Sequence, residues 1–310
     1  HAQGVITNCD MLLPSTKGYK GAPSLVAATT ALAAACRGSA YVVKLDNTTR
    51  LFAGAQTKLY EYVSSAWSDV SRGGNYTGSS DSAWRFAQFG NVTIAVNKID
   101  AMQKSVSTGA FSDLAGAPKA LVVETVGGFV MVANYNDGTD TPDGIAWCAF
   151  EDYTDWTASV ATQAGNLRKY DTPGEFRALK RLGQYAVAYK EGAMYLGIKN
   201  GPPTLWGFNL ISGEIGAVSH EAVVSIETAH FFVSRTGIYM YDGARPVPID
   251  DGIREWFLGD LNVGYTYKIR GIHDKNNSLI YWYYPSTGST GTLDSGLVYN
   301  YKTNKWWRAN

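Results

Sequence analysis

A run of oxygen-bearing side chains between residues 136 and 144 fits a metal site best by residue type. Asp137, Asp140 and Asp143 alternate there with small and turn-forming residues, and calcium prefers carboxylate and carbonyl oxygens in such loops. The glutamate that closes an EF-hand loop is missing, and Pro142 interrupts the spacing. Two interpretations follow: a weak calcium site made by the three aspartates, or a polar hairpin loop that holds no ligand.

Basic side chains concentrate between residues 168 and 181, and phosphates are what such a stretch could contact. They are Arg168, Lys169, Arg177, Lys180 and Arg181. Lysine and arginine contacts to a nucleic-acid backbone are blind to sequence and weaken with salt. Asp171 and Glu175 interrupt the stretch, which favours a solvated or intersubunit face as the alternative to a DNA-channel contact.

Motifs of the common catalytic classes are missing from the sequence. It has no H-E-x-x-H pair, no G-x-S-x-G elbow and no phosphate-binding loop of the Walker type. The acidic pairs Glu151-Asp152 and Asp250-Asp251 join adjacent residues, which point to opposite faces in an extended chain. We expect solvated turn positions there, four separate histidines, no cofactor and no enzymatic activity.

Composition excludes several classes of protein. The 310 residues carry 27 basic and 27 acidic side chains, so the formal net charge is zero. That balance gives no support for a general nucleic-acid binder or a polybasic membrane anchor, and it suits a subunit packed in an assembly. Cys9, Cys36 and Cys148 form no C-x-x-C pair, and their odd number predicts buried free thiols. No apolar run approaches the ~20 residues of a membrane-spanning helix.

A three-strand pattern recurs six times and predicts the fold class. Each copy has a strand, a Gly-marked turn, a continuously apolar second strand, a loop, a third strand and an aromatic closing segment, which recurs every 44 to 54 residues. Repeats of this length made of strands are typical of a β-propeller. We therefore predict an all-β chain: an extended N-terminal arm over 1–35 and one propeller of six antiparallel blades over 36–310. The predicted blades are 36–71, 84–115, 119–158, 176–212, 221–258 and 267–308.

Two loops between second and third strands are predicted to be long, Asn134–Gly144 and Pro285–Ser295. Long loops at one end of a propeller are where binding residues usually lie. Tyr281–Tyr284 could stack on sugars or bases there, or fill contacts between blades or subunits.

Several of these segments resemble a known family. The chain is similar to β-propeller tail proteins of tailed bacteriophages, the tail hub or nozzle proteins of short-tailed phages. The resembling segments are Asn8–Pro23, Leu51–Gly54, Leu59–Glu61, Ser68–Ser71, Trp84–Asn91, Ile94–Asn97, Asp155–Thr157, Gly237–Tyr239, Asp242–Gly243, Pro248–Ile249, and Leu297–Tyr301 with Trp306. They are structural motifs, and members of the family often continue beyond the point where this chain stops.

The resemblance implies a virion protein of the phage tail. It implies a homo-oligomeric ring, by analogy a hexamer, that extends the tail channel, retains packaged double-stranded DNA and conducts it during ejection. Implied partners are a tail adaptor ring and tail fibres or a tail needle or plug. The alternative is a carbohydrate-binding or glycan-hydrolysing propeller, which the tyrosine and tryptophan content and the two long loops favour; Asp137 and Asp140 would lie in its site.

Overall fold

The chain is an all-β protein with six antiparallel blades arranged as a β-propeller, as the sequence predicts. A computed structural model describes residues 12–15, 17–22 and 26–309. Each blade is a four-stranded sheet whose strands are hydrogen-bonded in chain order.

The strands fall into one N-terminal hairpin and six blades. The hairpin is β1 (Leu12–Ser15) and β2 (Gly18–Gly21). The first blade is β3 (Ser39–Val43), β4 (Thr49–Gly54), β5 (Leu59–Val63) and β6 (Ala66–Asp69); the second is β7 (Arg85–Phe89), β8 (Val92–Val96), β9 (Gln103–Val106) and β10 (Ser112–Asp113). The third is β11 (Lys119–Val126), β12 (Phe129–Asn136), β13 (Asp140–Trp147) and β14 (Gly165–Arg168); the fourth is β15 (Phe176–Leu182), β16 (Tyr185–Lys190), β17 (Met194–Lys199) and β18 (Trp206–Ser212). The fifth is β19 (Val223–Ser225), β20 (His230–Ser234), β21 (Gly237–Tyr241) and β22 (Val247–Pro248); the sixth is β23 (Arg270–Asp274), β24 (Leu279–Tyr284), β25 (Ser295–Asn300) and β26 (Lys305–Ala309).

The turns and second strands show why the sequence folds into blades. Gly127 and Gly128 both have positive φ, at 57° and 85°, and they join β11 to β12 as a two-residue hairpin. Such turns match the twist of antiparallel strands and favour glycine at both positions. Seven of the eight residues of β12 are buried, as expected for an inner strand with packing on both faces.

One compact unit, Ala27–Gly213, contains the first four blades. The first strands of its consecutive blades, β3, β7, β11 and β15, are neighbours, so they form the inner side of this unit. Its largest core combines aliphatic residues of the second and third blades with aromatic residues of the third and fourth, including Phe129, Phe176 and Trp206.

The other compact unit consists of His1–Val26 and Glu214–Asn310 and contains the fifth and sixth blades. Trp282 donates its indole N–H to Ala222 O at 3.0 Å, which joins these two blades. A helix, α1 (Arg254–Asp260), and a 3₁₀ helix, Val263–Lys268, lie between them in sequence. The hairpin β1–β2 packs on the sixth blade, where Asn300 Nδ2 donates to Pro14 O at 3.1 Å.

The observed strands depart from the predicted segments in three places. The third blade takes its fourth strand from Gly165–Arg168, beyond the predicted bound of 158, and the Tyr153–Trp156 segment forms turns. Trp256 lies in α1, so it does not close the fifth blade with a strand. Within the predicted extended arm 1–35, residues 12–15 pair with residues 18–21 as the β1–β2 hairpin.

The loop predicted over Asn134–Gly144 is wrong, because β12 and β13 continue through most of it. Tyr135 pairs with Thr141 and Asn136 with Asp140, so only residues 137–139 form the turn. Asn134 sits in a β-bulge between the paired stretches, with φ 53°. The long loop predicted at residue 285 is present between β24 and β25.

Candidate functional site

The three aspartates of the proposed calcium site have separate roles at the β12–β13 turn. Asp140 accepts from Lys98 Nζ at 2.6 Å, and Asp143 accepts from Arg168 Nε at 2.9 Å and Nη2 at 2.7 Å. Asp137 Oδ1 accepts from the backbone N–H of Thr139 at 3.4 Å. Within residues 12–15, 17–22 and 26–309, no group of three or more His, Cys, Asp or Glu side chains could hold a metal ion. Two of the three carboxylates are thus engaged by basic side chains of the chain itself.

Arg168 and Lys169, the first two candidates for phosphate contact, are held by acids and carbonyls. The hydrogen bond to Asp143 raises the pKa of Arg168, and its guanidinium lies 4.6 Å from the centre of the Tyr170 ring. Lys169 Nζ lies 3.1 Å from Phe208 O in the fourth blade and 3.4 Å from Asp171 Oδ2. Arg168 therefore links β13 to β14 within the third blade, and Lys169 links the segment after β14 to the fourth blade.

Arg177, Lys180 and Arg181 lie on β15, the first strand of the fourth blade. Arg177 is paired with Glu175 at 2.8 Å and lies 3.8 Å from Glu191. Arg181 is exposed, and its Nε donates to Gly183 O at 2.7 Å. The first strands β7, β11 and β15 are neighbours within this unit, so these three residues lie on the inner strand of the fourth blade.

Glu124, on the neighbouring first strand β11, is the acid that faces this basic group. Burial raises the pKa of Glu124, and the nearby charges of Lys180 and Arg181 oppose that shift. Sequence reasoning missed this residue, since 56 positions separate Glu124 from Lys180 and only the neighbouring first strands bring them together. The inner side of the third and fourth blades thus carries a mixed set of charges.

A buried lysine was also missed. Lys190, on β16, is fully buried, and its Nζ donates to Lys169 O at 2.8 Å and to Thr172 O at 2.7 Å. Burial lowers the pKa of Lys190, while Asp143 and Asp171 oppose the shift. Lys190 thus ties residues 169–172 to the fourth blade. The only signal in the sequence was its position at the end of an otherwise apolar strand, Tyr185–Lys190.

One of the two acidic pairs differs from the prediction of solvated turn positions. Glu151 and Asp152 are exposed, as expected of turn positions. Asp250 is fully buried and does not fit the solvated turn that was predicted: it accepts from the backbone N–H of Ile238 at 2.9 Å and from Arg254 Nη2 at 2.6 Å. Asp250 thus links Arg254, the first residue of α1, to β21 of the fifth blade. If its carboxylate were exposed instead, the backbone N–H of Ile238 would have no acceptor.

The two described cysteines differ in exposure, whereas His220 and His230 are buried and His273 is half-buried. Cys148 is buried as predicted, and burial raises its pKa to about 12, but Cys36 is exposed, which contradicts that prediction for this thiol. Cys9 and His1 lie outside the described residues. His273 Nε2 lies 3.2 Å from Tyr301 OH, and burial lowers the pKa of His273.

The aromatic segment Tyr281–Tyr284 alternates between two faces of β24. Trp282 and Tyr284 are fully buried, and Tyr284 OH donates to Asp260 Oδ2 at 2.7 Å. Tyr281 and Tyr283 share the other face, with their rings 6.3 Å apart. Half of this segment therefore fills the contact between the fifth and sixth blades.

The loop that follows, Pro285–Asp294, is internally ordered. Ser286 donates to Asp294 through its backbone N–H at 2.8 Å and its hydroxyl at 2.9 Å, and Asn262 Nδ2 donates to Ser289 O at 2.8 Å. The loop thus packs on the end of α1.

Comparisons with known proteins leave the family open. No protein-family model matches the chain, and no curated protein matches it. A solved structure of a computationally designed protein, Ika8, has a TM-score of 0.47 and 13% identity, with 89% of this chain and 74% of that chain covered. None of the described helices is long and apolar enough to cross a membrane.

Proposed function

We propose that the chain is a structural protein of a bacteriophage tail, a hub or nozzle subunit that acts through its shape and catalyses no reaction. Copies of the chain form a ring, a hexamer by analogy, around the path of the packaged DNA. The resemblance of Trp84–Asn91, Leu51–Gly54 and Leu297–Tyr301 to tail propellers supports this proposal, and so does the six-bladed fold.

The observation that carries the proposal is the use of charged side chains to join successive blades. Arg50 of the first blade donates to Ser105 of the second at 2.7 Å, Lys98 reaches Asn134 of the third at 2.7 Å, and Lys169 reaches Phe208 O of the fourth at 3.1 Å. These arginine and lysine side chains, which an enzyme could use in its reaction, here hold one blade to the next. Such links between blades suit a structural protein that must keep its shape under mechanical load.

In this proposal the fourth blade supplies a contact for DNA where it faces the axis of the ring. Lys180 and Arg181 lie on a first strand, and contacts from such residues would be independent of base sequence. Glu124 lies near Lys180 and Arg181 and lowers the net positive charge of this surface. A weaker positive charge suits a surface that retains DNA and then lets it pass during ejection. An adaptor ring on one side, and fibres or a needle on the other, complete the proposed set of partners.

Imaging of the purified full chain and of the virions that contain it tests the proposal. We expect ring-shaped particles with cyclic symmetry and an axial hole, and antibody labelling of the chain on the tail. A chain that stays monomeric at all concentrations and is missing from virions would show that the proposal is wrong.

A further inference from the structure

A cleft of about 450 Å³ in the unit Ala27–Gly213 has no role in the contacts described above. It lies between β14 and the segment that precedes it, on the third blade, and the 202–206 segment that leads into β18, on the fourth. Its volume falls in the range of about 300–1,000 Å³ that is typical of sites for small molecules.

The lining of the cleft is uncharged. It contains two tryptophans, two prolines, aliphatic residues and the polar residues Ser159, Gln163, Asn166 and Thr204, with no ionisable side chain. The neighbouring charges of Arg168 and Asp143 are paired with each other at 2.7 Å. Such a lining disfavours phosphates, carboxylates and cations, since a charged ligand would lose its hydration without gaining a partner.

The cleft offers hydrogen-bonding groups that have no partner in the described chain. The side chains of Gln163, Asn166 and Thr204 make no hydrogen bond to the residues that the structure describes, 12–15, 17–22 and 26–309. These three polar side chains can therefore hydrogen-bond a ligand that enters the cleft.

The walls of the cleft are held in place before any ligand arrives. Trp147 Nε1 donates to Gln163 O at 2.9 Å, and the backbone N–H of Ser159 donates to Ala164 O at 3.0 Å. A Cβ on Gly165 would lie 2.8 Å from Cζ2 of Trp147, so glycine permits the close packing of the floor. The site therefore loses little conformational freedom on binding.

We propose that this cleft binds a neutral saccharide unit. Sugar hydroxyls donate and accept, as the amides of Gln163 and Asn166 and the hydroxyl of Thr204 do. The apolar C–H face of a sugar ring packs against Val160, which is 61% exposed at the rim. The inference stands independently of the proposed tail function, because it rests on the cleft alone.

Saturation-transfer NMR and calorimetry on the full chain test it, with lactose, maltose, cellobiose and chitobiose as neutral probes. Sialyllactose and a neutral tripeptide serve as the charged and non-sugar probes. We expect saturable binding of at least one neutral disaccharide and weaker or no binding of the other two probes. Binding of no neutral disaccharide, or equal binding of sialyllactose or of the tripeptide, would overturn the proposal.

Variants assign the binding to the cleft. Gln163→Ala and Asn166→Ala each remove a side-chain amide from the lining, and each should weaken the affinity about tenfold, the effect of removing one hydrogen bond of ~1.4 kcal/mol. Asn209→Ala, an exposed residue of β18 outside the lining, should bind as the original chain does. Unchanged affinity of Asn166→Ala and Thr204→Ala would refute the site even if Gln163→Ala fails to fold.

Discussion

Lys98 of the second blade donates from Nζ to Oδ1 of Asn134 in the third, at 2.7 Å. The amide nitrogen of the same Asn134 side chain donates to Glu175 Oε2 at 2.9 Å and to Phe176 O at 3.2 Å, both at the start of the fourth blade. One buried side chain thus contacts the blades on both sides of its own. The bulge at Asn134, with its positive φ, aims the side chain at both neighbours.

Asn134→Ala should destabilise this unit by about 2–4 kcal/mol. The change leaves buried hydrogen-bonding groups without partners, and it puts a residue with a Cβ, but no compensating polar group, in the left-handed region. Asn134→Gly keeps the backbone conformation, so it should cost less than Asn134→Ala. Denaturant unfolding measures both; equal stability of Asn134→Ala and the original chain would contradict the bridging role.

The ion pair of Arg50 and Glu61 should behave as a buried one. Arg50 Nε and Nη2 lie 2.6 and 2.7 Å from the two carboxylate oxygens, and the side chains are only 5% and 13% exposed. Glu61→Ala leaves the guanidinium buried with its charge uncompensated and should cost about 3–5 kcal/mol. Asp69→Ala removes the partner of Lys58 from a more exposed pair in the same blade and should cost under ~1 kcal/mol. Similar effects of the two variants on thermal and denaturant unfolding would show that burial is not decisive.

Gly54 is required by its close approach to Trp84. A methyl group at this position would overlap the indole ring of Trp84, whose Nε1 donates to Ala55 O at 2.8 Å. Gly54→Ala should therefore cost about 1–3 kcal/mol or more, the range for an overpacked core. Gly73→Ala, where a methyl group meets no atom within 4 Å, is the matched control and should be close to neutral. The same unfolding midpoint for both variants would contradict this packing account.

The stability of the sixth blade should fall as the pH drops below about 6.5. Burial holds the pKa of His273 below its usual value of 6.5, so the unfolded chain binds a proton more readily than the folded one. The cost appears as the pH falls through 6.5 and is complete below the folded pKa. His273→Gln cannot be protonated, so the difference between its unfolding free energy and that of the original chain should change between pH 7.5 and 5. A constant difference over that range would show that the histidine is not coupled to folding.

The DNA contact proposed for β15 predicts a salt dependence. The double variant Lys180→Ala/Arg181→Ala should bind short duplex DNA less tightly, and its slope of log affinity against log salt should be smaller by about 0.9 for each phosphate that is no longer neutralised. Arg168→Ala is the control, because its guanidinium is already paired with Asp143. A larger decrease in affinity for Arg168→Ala than for the double variant would contradict a DNA contact at β15.

Local pattern was sufficient to predict the blades but not the interactions between them. The Gly127-Gly128 turn and the apolar run of β12 are visible in sequence because turn chemistry and strand burial are local. The Asn134–Gly144 segment looked like a loop because its polar residues face partners, Lys98, Glu175 and Arg168, that lie far away in the chain. The buried positions of Lys190 and Asp250 were hidden for the same reason: what satisfies each charge is set by tertiary packing.

The lengths of the fourth strands differ among blades, and this difference has a consequence for intermolecular association. The outermost strands β10 and β22 contain only two residues each, so they offer little unpaired backbone to another chain. β18 has seven residues, with Asn209 and Leu210 exposed. Intermolecular strand addition, whether in ordered assembly or in aggregation, therefore has its most extended template at the rim of the fourth blade.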